Sequence, residues 1–139
     1  MRVLFICTGN SCRSQIAEGY LKHIAPELEV FSSGISPEQC ISQYAVKAMS
    51  LLGIDISRQK PKSVNEFIND DFDFVITMSE KADTLCPEFK GKIINRLHLG
   101  FEDPAEAIGS DEVILNKYIQ VRDLIINDIK MLYDLDISP

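Results

Sequence analysis

Short apolar runs alternate with helical spacings along the chain. Val3–Cys7 is an unbroken apolar run, the pattern of a strand buried on both faces. From Ser14 to Ala25, Ile16, Tyr20, Leu21 and Ile24 share one helical face, and Pro26 closes the segment. Glu29–Ser33 reads as a second strand ended by Gly34. Tyr44, Val46, Ala48, Met49 and Leu52 predict a helix over 42–52, with Gly53 as its C′ glycine. Ser63 is placed to cap a short helix reaching Phe67, with Glu66 three residues on as in a capping box. Phe72–Met78 is the strongest buried-strand run, and Ser79–Leu85 gives a helical turn or two before Pro87. Lys92–Leu97 predicts a fourth strand, interrupted by Asn95 and Arg96. Ile114, Tyr118, Val121, Ile125, Ile129 and Leu132 mark a long last helix over about 110–135.

Strands separated by helices predict an α/β fold: a three-layer, four-stranded parallel sheet with helices on both faces, forming one domain over residues 1–139. Ligands of such sheets bind at the carboxyl ends of the strands, and Cys7 sits at one.

Charge and cysteine usage narrow the function. Asp and Glu number 21 against 14 Lys and Arg, a net charge of −7. That balance argues against nucleic-acid and anionic-membrane partners, so an anionic substrate needs a local attraction. No run approaches the roughly 20 apolar residues of a membrane span, and Val3–Ile6 is shorter than the roughly 7–15 residues of a signal peptide's apolar region. A cytoplasmic enzyme with reduced thiols is expected. The four cysteines (Cys7, Cys12, Cys40, Cys86) then read as catalytic, redox-active or buried. Cys7 and Cys12 have a loose zinc spacing, but no second Cys/His pair follows, so neither a metal nor a cofactor is expected.

The segment Cys7–Ser14 carries the chemistry. A thiol becomes a good nucleophile when its thiolate is stabilised. A helix starting near Ser14 turns its free N–H groups toward the loop. Gly9, with Thr8, Asn10 and Ser11, lets the backbone curl into an anion-binding nest that also takes in Cys12. Arg13 supplies a planar guanidinium for two oxygens of a tetrahedral oxyanion, and Ser14 can hydrogen-bond the Cys7 sulfur. A core cysteine is the bland alternative for Cys7. Strand end, glycine loop, Arg-Ser and helix start in register favour an oxyanion-binding cysteine enzyme instead. Its general acid is expected at Asp103, in the loop after the fourth strand, with Glu102 a local competitor.

These residues, in this order, resemble the low-molecular-weight protein tyrosine phosphatase family, and within it the thioredoxin-coupled arsenate reductases. The likeness rests on "CTGNSCRSQIAEGY", "SSG" at 32–34, "GIDIS" at 53–57, "FDFVIT" at 72–77, "CP" at 86–87, "GFEDPA" at 100–105 and "VRD" at 121–123. It implies Cys7 as nucleophile, Arg13 as oxyanion clamp and Asp103 as general acid. The phosphatases usually carry a Tyr after the Asp-Pro, where this chain has Ala105, and the 35–50 region offers only Tyr44. A small inorganic anion is favoured. The reductases pass a disulfide through further cysteines toward thioredoxin, and the resemblance gives Cys86 such a role. The first relay position, however, holds Ser79. Either Cys86 attacks the Cys7 adduct directly or an external thiol such as glutathione resolves it, with Cys12 a third candidate and Cys40 given no role. Some of these reductases bind potassium through an Asn, a Glu, a Ser and an Asp. Asn10, Glu18 and Ser33 match, but Lys62 stands at the Asp position, so no potassium site is expected. His98 resembles the first residue of the family's His-Trp pair, with Leu99 in place of the Trp, and a structural role is expected. A phosphatase acting through a phosphocysteine is the alternative function.

Overall fold

The computed structural model describes residues 1–138. Four strands, β1 (Arg2–Cys7), β2 (Glu29–Gly34), β3 (Phe72–Thr77) and β4 (Ile93–His98), form one sheet in the order β2-β1-β3-β4. All three pairings are parallel, as strands joined by helical crossovers require. Helices α1 (Arg13–Ile24), α2 (Gln43–Ser50), α3 (Glu80–Leu85) and α4 (Asp111–Leu132) complete the fold.

The sheet separates two apolar layers. Val3 and Phe5 of β1 pack with residues of α1, α2 and α4, while Leu4 and Ile6 pack with Val64, Phe67, Phe72, Val75 and Ala82 of α3 on the other face. Val3, Leu4, Phe5 and Ile6 are fully buried, each contributing about 1.5–3 kcal/mol of transfer free energy. This is the predicted three-layer α/β architecture. β4 pairs only with β3, so its edge position tolerates the polar Asn95 and Arg96.

The helix ends follow local chemistry. Ser42 caps α2, its Oγ accepting from Ala45 N. Gly53, at φ +76°, closes it: Gly53 N–H reaches Ser50 O and Ile54 N–H reaches Met49 O, the Schellman pair. Ser63 caps only a 3₁₀ turn, Val64–Glu66, accepting from Asn65 N, so the short segment stops before becoming α-helical. α4 ends in a wider π turn over Tyr133–Ile137 rather than running on as regular α-helix to residue 135.

Register brings Cys7, Gly34, Thr77 and His98 to one edge of the sheet. β1 is the strand at which the order reverses, and the loop after it opens into the resulting crevice.

Candidate active site

Cys7 ends β1 and Arg13 begins α1, so residues 8–12 must turn the chain within a few ångströms. The turn is fixed at Asn10, which takes a left-handed φ of 53°. Its backbone N–H donates to Cys7 Sγ (3.3 Å). Its amide Nδ2 donates to Ser14 Oγ (2.7 Å) and Ser32 Oγ (3.0 Å). Its Oδ1 accepts from Lys62 N (2.8 Å) and Gln15 Nε2 (3.1 Å), which settles the orientation of the amide. Ser14 Oγ, having accepted from Asn10, is left with its own O–H for the Cys7 sulfur 2.8 Å away. Ser32 likewise donates to Glu18 Oε1 (2.6 Å). One buried network therefore runs from the Cys7 sulfur through Ser14, Asn10 and Ser32 to a carboxylate.

Gly34 makes room for this loop. A Cβ there would stand 2.8 Å from Thr8 O and 3.0 Å from Asn10 N, overlapping backbone rather than a flexible side chain. Gly34→Ala is expected to lower stability by about 1–3 kcal/mol through overpacking, measured as a shifted denaturation midpoint, and to lower activity because the strain falls on the loop.

Cys12 is the N-cap residue of α1 and provides no side-chain cap, leaving the first N–H groups of the helix for an anion. Its thiol is buried, and burial, reinforced by the neighbouring Cys7, pushes it well above the ordinary cysteine range. Arg13 Nη1 donates to Phe101 O (3.1 Å), and Nη2 stands 3.6 Å from Asp103 Oδ2. Asp103 caps the turn Pro104–Glu106, its Oδ1 accepting from Ala105 N (3.0 Å), so Oδ2 is the oxygen turned toward the guanidinium. Glu102 pairs instead with Lys117 (2.7 Å). Cys7, Thr8, Gly9, Ser11, Cys12, Arg13, Asp103 and Ala105, with Glu38, line one cavity of about 90 Å³.

Cys86 is not in that cavity. It packs on the opposite layer and lines a separate one of about 510 Å³ with Asp83, Arg96 and His98, where burial pushes its thiol upward. Ser79 caps α3 through Ala82 N and meets Thr8 Oγ1 at 2.9 Å, joining that helix to the loop. Cys40 is exposed on a segment whose Ile35, Ser36, Glu38 and Ser42 amides donate to loop carbonyls. His98 Nδ1 bonds Thr77 Oγ1 (2.8 Å) within the sheet edge. Tyr44 stacks on Tyr118 and lies outside the pocket.

Of the positions implied for potassium, Asn10 and Glu18 share the network above, and Ser33 Oγ is buried with no partner among the described residues. Lys62 brings its ammonium to 3.9 Å from Glu18, whose second oxygen pairs with Lys22 (2.6 Å). Burial lowers the Lys62 ammonium, and Glu18 opposes that shift. Sequence reasoning missed Gln59, which donates to Gln15 and so braces Asn10 at second hand, and Glu38 in the pocket wall. Neither carries a local signal, since the contacts are long-range.

The model of the low molecular weight phosphotyrosine protein phosphatase family matches residues 2–134. The chain belongs to this family. Arsenate reductases of Halalkalibacterium halodurans and Bacillus subtilis are each 41% identical to it over 129 residues, covering 92% of this chain and 91% of theirs. Among solved structures, an arsenate reductase in the phosphate-binding state matches with a TM-score of 0.78 and 32% identity over 96% of both chains. A low-molecular-weight protein tyrosine phosphatase from T. tengcongensis matches at 0.73 and 28%, covering 96% of this chain and 98% of that one. The chain is an enzyme of the family's reductase or phosphatase kind.

Proposed function

We propose that this enzyme reduces arsenate, with Cys7 as nucleophile. The observation that carries the choice of substrate is the pocket itself: about 90 Å³, with Ala105 after the Asp-Pro and no aromatic ring in its lining. That space suits a bare tetrahedral oxyanion; Phe101 lines only the adjoining cavity, which meets this pocket along Thr8, Arg13 and Asp103. The relatives named as arsenate reductases support the same reading.

The steps follow from the side chains. Loop amides and Arg13 hold the oxyanion. Ser14 and the Asn10 amide stabilise the Cys7 thiolate, which attacks arsenic, while Asp103 protonates the departing oxygen so that it leaves as water. A second thiolate then attacks Cys7 Sγ. The sulfur–arsenic bond breaks, its electron pair stays on arsenic, and arsenite leaves as Cys7 enters a disulfide. Thiols supply both electrons. Thioredoxin, with Cys86 carrying the disulfide outward, is one donor system, and it requires the segment bearing Cys86 to swing toward the loop.

Ser79 favours a second reading, phosphomonoester hydrolysis through a phosphocysteine, which needs Cys7, Arg13 and Asp103 and no further sulfur. Two assays on one preparation separate them: arsenate-dependent NADPH oxidation with thioredoxin and its reductase, or with glutathione and its reductase, and hydrolysis of an aryl phosphate. Arsenate turnover exceeding hydrolysis is expected. Rapid hydrolysis with no arsenate turnover from either thiol system would sink the reductase reading.

A further inference from the structure

Thr8 follows the nucleophile directly, and this half-buried residue stands at a seam. The oxyanion pocket of about 90 Å³ and the adjoining cavity of about 590 Å³ have Thr8, Arg13 and Asp103 in common. Arg13 and Asp103 face each other there at 3.6 Å. An oxygen protonated by Asp103 departs across that seam, and Thr8 is the third polar side chain on it.

The hydroxyl of Thr8 has one partner among the described residues, Ser79 Oγ at 2.9 Å. Ser79 is 5% exposed, and its Oγ already accepts from Ala82 N (3.1 Å) as the cap of α3. Its O–H has no acceptor among the described residues other than Thr8 Oγ1. Were Thr8 to donate instead, the Ser79 proton would be left buried and unpaired, an arrangement that costs more than it returns. Ser79 is therefore the donor and Thr8 Oγ1 the acceptor, and the proton of Thr8 is left over on the wall of an anion pocket. Neighbouring backbone bonds fix Ser79. Met78 N–H donates to Ile6 O (2.8 Å) and Asp83 N–H to Ser79 O (3.0 Å). Phe101 N–H donates to Met78 O (3.2 Å), and Phe101 O accepts from Arg13 Nη1. The end of β3 thus holds Thr8 through Ser79 and Arg13 through Phe101.

We infer that the Thr8 hydroxyl donates to the bound oxyanion, and that Ser79 is the positioning residue that aims it. This rests on reading residues 7–14 as an oxyanion loop, which arsenate reduction and phosphomonoester hydrolysis share. The loop amides converge on the anion from the backbone, while Thr8 O–H reaches an oxygen on the side of Arg13 and Asp103. That oxygen carries negative charge until Asp103 protonates it, and a donor already aimed at it needs no reorganisation when the anion arrives. Position 79 requires an oxygen for this task, because a thiol there would be a weak donor to Thr8. Ser79 thereby acts on the site through the loop, without touching the substrate.

The test uses the full chain with inorganic phosphate as the probe, since binding needs no turnover. Calorimetry is expected to find phosphate affinity lowered about tenfold or more in Thr8→Val, the scale of one hydrogen bond to a charged acceptor. Val keeps the shape of Thr, so the loop should fold as in the native chain. Thr8→Ser, which restores an O–H, should recover most of the loss. Ser79→Ala alone is expected to weaken phosphate by about three- to tenfold, and to add nothing in the Thr8→Val background, because its effect passes through Thr8. Ser79→Thr, which keeps both the cap and the proton, should restore binding. Native affinity in Thr8→Val overturns the inference. Additive losses in the double variant overturn the role of Ser79 and reduce it to a helix cap. A native chain that binds no phosphate overturns the oxyanion reading itself.

Discussion

Cys7→Ser is expected to abolish arsenate reduction and aryl-phosphate hydrolysis together, each by on the order of 10⁴-fold or more. The network around position 7 is built for sulfur as the reacting atom: Ser14 O–H and the Asn10 amide both point at Sγ, and no side-chain base touches it among the described residues. A serine hydroxyl would find hydrogen-bond donors there and no group to remove its proton. Calorimetry on the variant should still detect phosphate binding, because the loop amides and Arg13 remain. Cys12 offers no bypass, since its buried thiol is held protonated well above neutral pH. Substantial residual turnover in Cys7→Ser would move the nucleophile to another cysteine and would require a different geometry for the attack.

Much of this site was legible in residue types and their order, because its chemistry is local. Cys7, Arg13 and Ser14 sit within eight consecutive positions, and the strand and helix holding them announce themselves by burial pattern and spacing. Asp103 was readable as a loop acid, and the structure adds the ion-pairing distance to Arg13 across 90 residues. What stayed hidden depends on contacts far apart in the chain. Nothing near Ser79 signals its bond to Thr8, 71 residues away, and nothing near Cys86 says which layer of the sheet it joins. β4 looked weak for a related reason. Its polar residues are satisfied across the edge, Asn95 by Asp73 O and Arg96 over the Phe89 ring, and a period-based reading sees only their polarity. The spacing overstates the regular length of α4 because the backbone widens into a π turn over Tyr133–Ile137, which a pattern of residue types does not register.

Asn10 shows how a residue of unremarkable type comes to govern the site, and its replacement carries the second large effect. Asn10→Ala should cost about 3 kcal/mol or more. An orphaned buried donor such as Lys62 N–H costs about 1–3 kcal/mol, and a Cβ without a compensating polar group in the left-handed region costs about 1–2 kcal/mol. Asn10→Gly loses the same side-chain hydrogen bonds but tolerates φ 53°, so it should be more stable than Asn10→Ala by about 1 kcal/mol. Turnover should fall in both, by about tenfold or more, because Ser14 loses the bond that aims its O–H at Cys7. Chemical denaturation of the two variants separates the backbone effect from the network effect. Equal stabilities would remove the left-handed turn from the account, whereas full activity in Asn10→Gly would show that the loop amides hold the thiolate without the side-chain network behind them.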